Sequence, residues 1–351
     1  MPSLLRGREF RLPVESVRRT SSPLSESHFL VALPLISFRN DPDGSYRTTD
    51  FQTQWRCPDC LPGTLGSTRG VIAMSLNFSL AGKTYEPVTE EVSADAIAAY
   101  ASASRIDNPR HDVGPDQVPS VIFPVVTGLR LMAMATTDPE LNVENPLMIV
   151  HGEQEIIHHR QMRPGETLVF KTSLESVEDK GKGATYVVRV SGETPDGESV
   201  NDQFATIFVR GAGSGEERAS GEKSTPPSRG DQVVAFTKHI DEGMPGEYAV
   251  ASGDRNPIHT DVDVAKAVGL PGVINHGLGT LSIVSGGLVD ELAGGDPGRV
   301  SRIQVRFTDM VPLGSDLETA VFASDGDSLV FETARADGKV VMTGLVAVRS
   351  D

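Results

Sequence analysis

With 351 residues, 38% hydrophobic and 23% charged, the chain has the composition of a soluble globular protein long enough for two domains of ordinary size. Its formal charge of −16, with no basic stripe, excludes nucleic acid and anionic lipid as general partners. Taken in chain order, residues 1–73 stand apart: they hold nine Arg and no Lys, the only Trp and both cysteines, without a sustained hydrophobic period. They read as an extension, either disordered or a gene-start artefact, because patterning begins just after Met74. The apolar run 29–38 contains Pro34 and is about ten residues long, against the roughly 20 that span hydrocarbon. It also lies too far from the N-terminus for a secretory signal, so no membrane span and a cytoplasmic location are expected. Cys57-Pro58-Asp59-Cys60 has the spacing of half a zinc site or of a redox pair, but no second Cys or His pair stands near it, and a loop is expected.

The remainder falls into two blocks, 74–210 and 232–351. Between them lies the flexible linker 211–231, rich in Gly, Ser, Glu and Pro. The blocks repeat one another. Residues 88–104 lie over 236–252 at a constant offset of 148, matching Thr89 with Thr237 and Tyr100 with Tyr248. The register continues through Asn108-Pro109-Arg110-His111 onto Asn256-Pro257-Ile258-His259, with Ile106 falling where the second copy has Asp254. Each copy reads as a short helical approach, an Asn-Pro turn, an apolar segment and then several strands.

In the first copy the apolar segment is 119–135, interrupted by Pro124 and Gly128. It forms either a loosened helix that makes room for a long chain or a kinked core helix. His158-His159 reads as a strand pair on opposite faces, with no further ligand spaced to make a metal site. In the second copy, residues 278–292 carry Leu278, Leu281, Ile283, Val284, Leu288 and Val289 at roughly helical spacing and predict a buried central helix. Strands are expected over 300–308, 317–324, 328–336 and 339–349, the last three joined by Asp325-Gly326-Asp327 and Asp337-Gly338 turns. An antiparallel sheet wrapped on one helix results.

Two clusters carry chemistry. Ser252-Gly253-Asp254-Arg255-Asn256-Pro257-Ile258-His259 sets a carboxylate and an imidazole five positions apart across a stiff turn, an arrangement suited to proton transfer. Asn275-His276-Gly277-Leu278-Gly279-Thr280 opens the central helix with glycines whose backbone N–H groups are free to face an oxygen atom. Taken alone, an Asp, Asn and Pro cluster is a turn whose side chains bond the backbone.

The run Tyr248-Ala249-Val250-Ala251-Ser252-Gly253-Asp254-Arg255-Asn256-Pro257-Ile258-His259, followed by Asp261, Ala265 and His276-Gly277, resembles the hydratase 2 motif of the MaoC-like dehydratases and (R)-specific enoyl-CoA hydratases. This covers 232–351; for 74–210 the resemblance rests on the repeat, and 1–73 lie outside it. It implies an α+β double hot-dog fold, with a degenerate copy at 74–210 and the catalytic copy at 232–351. Carried over by position, Asp254 and His259 are the catalytic pair, Asn256 the polar residue supporting it and Gly277 the backbone donor to the thioester oxygen. Gly253, Pro257, His276 and Gly279 are expected around the substrate, with His276 structural rather than a proton carrier. Val262 stands where a proline is usual and Asn275 where an apolar residue is common, departures that bear on pocket shape.

The implied reaction is reversible hydration of 2-enoyl thioesters, or dehydration of 3-hydroxyacyl thioesters, carried by CoA or an acyl carrier protein. It needs no metal or organic cofactor, since the thioester itself acidifies the C2 proton. A hot-dog thioesterase and a non-catalytic acyl-binding subunit are the alternatives. A second copy of the chain is a possible partner through an exposed sheet edge or helix face.

Overall fold

The alternation of half-buried and exposed side chains along Val88-Thr89-Glu90-Glu91 and along 232–239 makes each of these segments an edge strand, and each repeat is built out from that edge. In the computed structural model, residues 76–145, 148–215 and 228–350 are described, together with the paired short strands Phe38–Asn40 and Tyr46–Thr48. That hairpin belongs to a unit ending at Arg69, while both repeats lie in the unit that begins at Gly70. The rest of the expected 1–73 extension, its Cys57-Pro58-Asp59-Cys60 motif and linker residues 216–227 lie outside the described residues.

The first repeat runs β1 (Val88–Glu91), α1 (Ala94–Ala103), a 3-10 turn at Pro109–His111, α2 (Val125–Thr136) and then β2 (Ile149–His158), β3 (Thr167–Asp179), β4 (Gly183–Glu193) and β5 (Ser199–Arg210). The second follows the same order with one added helix. It has β6 (Gln232–His239), α3 (Met244–Ser252), a 3-10 turn at Pro257–His259, α4 (Val262–Ala267) and α5 (Gly277–Ala293). Its sheet strands are β7 (Val300–Phe307), β8 (Asp316–Phe322), β9 (Ser328–Arg335) and β10 (Val340–Val348).

All ten strands join one antiparallel sheet in the order β1-β3-β4-β5-β2-β7-β10-β9-β8-β6. Reading outwards from the middle, the equivalent strands of the two repeats occupy equivalent places. The equivalent strands β2 and β7 pair with each other there, Ile156 opposite Ile303 and Gln154 opposite Val305. This is the α+β double hot dog expected from the sequence, closed edge to edge.

The central helix of the second repeat matches its pattern. Leu278, Leu281, Ile283, Val284, Leu288 and Val289 are each 3% exposed or less, and at Gly287 the backbone lies so close to the Phe236 ring that a methyl group would overlap it. Two expectations are corrected. The helical approach of each repeat is preceded by the edge strands β1 and β6, which were not foreseen. In the first repeat the helix begins only at Val125, because Pro124 stands at its N-cap and residues 121–124 form turns instead. Gly128 lies within α2, where the absence of a side chain lets the helix settle against the Gln203 side chain. His158 is buried and His159 exposed, as expected for opposite faces.

Helices α1 and α3 pack against each other. There the equivalent hydroxyls of Tyr100 and Tyr248 lie 3.0 Å apart, and Tyr100 also bonds Ser282 Oγ of α5 at 2.6 Å. Burial pushes the Tyr100 hydroxyl up to about 12, so it stays protonated and able to donate. The two repeats therefore share a core and a sheet. Ile156→Ala should cost about 2–5 kcal/mol by opening a cavity at the seam, and urea denaturation should still show a single transition. Two separate transitions would contradict the shared core.

Candidate active site

The turn carrying Asp254 begins where α3 ends. Gly253 caps that helix in the left-handed region at φ +80°, and the first repeat has Arg105 in the same place at φ +56°. Arg105 is held there by ion pairs to Asp241 and Glu247, each at 2.6 Å, so a side chain can occupy a conformation that glycine adopts without strain. Beyond Gly253, Asp254 Oδ1 accepts the Asn256 N–H at 3.2 Å. Asn256 Oδ1 in turn accepts the Ile258 N–H at 3.3 Å, capping the short turn that Pro257 starts. Asn256 and Pro257 are themselves exposed, so they shape the loop more than they line its interior.

This brings His259 inward to 8% exposure. Its Nδ1–H donates to the Ile274 carbonyl at 2.9 Å. A carbonyl can only accept, so the neutral ring carries its proton on Nδ1 and its lone pair on Nε2. Burial holds its pKa below the ordinary imidazole value, against the opposing pull of the Ile274 bond and the Asp254 charge.

His276 completes the cluster more closely than its expected structural role suggests. One ligand-type atom from each of Asp254, His259 and His276 lies within 4.8 Å of the other two. The His276 Nε2–H donates to the backbone carbonyl of Asp254 at 3.1 Å, and its ring stacks on that of His259 with centroids 3.9 Å apart. Tyr248 packs against the His276 ring at 5.0 Å, with Gly279 lying beside both residues. Burial, reinforced by the neighbouring His259, pushes the His276 pKa down, which keeps both stacked rings neutral.

Three such ligands could in principle hold a metal, but the geometry does not fit one. Ring lone pairs lie in the plane of each imidazole, and these two rings are stacked at an interplanar angle of 30°. A common ion at about 2.0–2.1 Å from both nitrogens would sit well out of at least one plane. A water between the carboxylate and His259 Nε2 meets no such conflict.

Helix α5 supplies the other half of the site. Its first intrahelical bond runs from the Thr280 N–H to the His276 carbonyl, and His276 gives no side-chain cap. The N–H groups of the first turn, starting with Gly277, are therefore left without intrahelical acceptors at the positive end of the helix dipole. The Gly277 backbone lies against the Phe307 ring, close enough that a methyl group there would stand 3.3 Å from it.

The first repeat keeps the frame of this turn with other residues at the equivalent positions. The His111 ring nitrogen Nδ1 bonds the Val118 carbonyl at 2.8 Å, as His259 bonds Ile274, and Asn108 caps its turn through the Arg110 N–H at 3.1 Å. Counting on from those carbonyls, Ser120 and Val121 replace His276 and Gly277, and no helix starts until Val125. Ile106 fills the place of the carboxylate and packs on Gly286 of α5. Ile106, Asn108, His111, Ser120 and Val121 line a cleft shared with Ser285 and Gly286 of α5.

Each repeat matches a family of known proteins. A MaoC like domain matches residues 227–344, and a FAS1-like, dehydratase domain region matches residues 79–203. A probable enoyl-CoA hydratase 2 of Dictyostelium discoideum is 30% identical over 58% of this chain and 71% of its own length. The 3-hydroxyacyl-thioester dehydratase Y of Mycobacterium tuberculosis is 34% identical over 55% of this chain and 69% of its own. Among solved structures, a MaoC-like dehydratase from Phytophthora capsici superposes with a TM-score of 0.65 at 23% identity. It covers 79% of this chain and 99% of that one, a likeness of fold. The chain belongs to the MaoC-like dehydratase and enoyl-CoA hydratase 2 family.

Proposed function

We propose that Asp254 and His259 catalyse the reversible hydration of 2-enoyl thioesters, with CoA esters as the first candidates and acyl carrier protein esters as the second. As in its relatives, the activity is that of a hydro-lyase. The observation that carries the assignment of residues is the fixed tautomer of His259. With Nδ1–H committed to Ile274, the lone pair is left on Nε2, in a cluster whose ligand-type atoms lie within 4.8 Å of one another, and can take a proton from a water that the carboxylate orients. The oxygen of that water attacks C3, and negative charge passes through C2 to the thioester oxygen. The Gly277 N–H, at the start of α5, is the donor placed to meet that charge. The proton then passes from Nε2 to C2, restoring the pair, and dehydration runs the same steps backwards.

His276 holds the Asp254 turn by its carbonyl and keeps the second face of His259 dry. No helix among the described residues is long and apolar enough to cross a membrane. The cytoplasm as location and a pair of chains as assembly belong to this reading, although one relative, from Arabidopsis thaliana, is named peroxisomal.

Incubation with crotonyl-CoA should remove the absorbance of the conjugated double bond without releasing free thiol. Thiol release would indicate a thioesterase, and no change with any chain length would indicate a binding subunit. Asp254→Asn and His259→Ala should each lower kcat by at least about 100-fold, whereas His111→Ala should leave it near the wild-type rate. Wild-type activity in either of the first two variants would overturn the assignment. Because the base must be neutral and burial lowers its pKa, the acid limb of kcat/KM should fall below the ordinary imidazole value. A limb at or above that value would mean a different base.

A further inference from the structure

One half-buried imidazole in this neighbourhood comes from the other repeat. His151 stands in β2 where the pairing with β5 slips between His151 and Glu153, a bulge that leaves Gly152 unpaired. Bulges re-aim the side chains beside them, and here the ring is turned onto Phe307, with centroids 5.6 Å apart and planes at 77°. Phe307 is the last residue of β7, and its ring is the one that rests on Gly277. The chain of contacts thus runs from the first repeat, through one aromatic ring, to the glycine that opens α5.

His151 Nε2 and Gln154 Oε1, three residues along the strand, are both shielded from solvent and neither reaches a partner at hydrogen-bond geometry, although the Gln154 side chain and the Glu153 backbone lie close enough to act on the His151 ring. Buried polar atoms without partners are rare in folded proteins and call for an explanation, of which a missing ligand is one. The Asp254 carboxylate is near enough for its charge to act on the His151 ring, while burial outweighs that charge and keeps the ring neutral. A neutral imidazole can still donate one hydrogen bond. An oxyanion has lone pairs for more than one donor, and the start of α5 offers the Gly277 N–H from one side only.

We propose that His151 donates from Nε2 to the thioester oxygen of the bound substrate, as the partner of the Gly277 N–H, so that the oxyanion site is assembled from both repeats. The inference rests on the acyl-thioester reading above. It gives the first repeat a direct part in the reaction, even though its own copy of the catalytic pair is disabled.

The test compares two variants of the full chain on crotonyl-CoA. His151→Phe keeps the ring packed on Phe307 and removes the donor; His151→Gln restores an N–H. The first should lose about 100-fold in kcat with little change in KM, and the second should recover most of that loss, with both urea midpoints near wild type. Wild-type kcat in His151→Phe overturns the inference, as does an equal loss in both variants accompanied by a lowered midpoint. If the wild-type protein does not hydrate crotonyl-CoA, the functional reading fails first, and calorimetric binding of crotonyl-CoA then decides on His151. Weaker binding by His151→Phe than by wild type and His151→Gln supports the contact, and equal binding by all three removes it.

Discussion

The bond from His259 Nδ1 to the Ile274 carbonyl decides what the site can do. It fixes the tautomer, leaves the ring lone pair on Nε2 and ties the Asn-Pro turn to the segment that leads into α5. His276 then reaches back from that segment to the Asp254 carbonyl, so each cluster is latched to the other by an imidazole. The two latches stack ring on ring. Burial keeps both rings neutral, which is the condition for one to act as base and for the other to hold the turn without repelling it.

The first repeat shows that this bond is an element of the fold before it is an element of catalysis. His111 makes it to Val118 in a turn capped by Asn108, yet the carboxylate, the second imidazole, the glycine and the early helix start are all absent there. Ile106 uses the vacated carboxylate position to pack on α5 of the other repeat. Around Ile106 the first repeat is thus packed as core, and the shared sheet seam and the Tyr100–Tyr248 hydroxyl pair hold the halves together. A closed β2–β7 seam also leaves the sheet with only two edges, β1 and β6, to protect from pairing with other chains.

Much of this was legible in the sequence. The offset of 148 exposed the duplication, and the helical spacing from Leu278 to Val289 located α5, because both signals are local periodicities. The spacing of Asp254, Asn256, Pro257 and His259 marked the turn, since each residue type there has a backbone reason to be present. Edge strand β1 was missed because four residues are too few to show a period against the helix that follows, and β6 because its apolar run Val233-Val234-Ala235-Phe236 does not alternate in residue type. The stacking of His276 on His259 and the approach of His151 depend on which strands become neighbours. His151 reaches its place through a register slip in β2 and through the pairing of β2 with β7, and neither is a property of any local stretch.

The central claim is that each chain holds one working site, in the second repeat. Calorimetric titration of the Asp254→Asn protein with crotonyl-CoA tests it most directly, because that variant keeps the pocket while blocking turnover. The account predicts one equivalent bound per chain, with the same stoichiometry after His111→Ala is added. Two equivalents per chain, or loss of binding on changing His111, would contradict it.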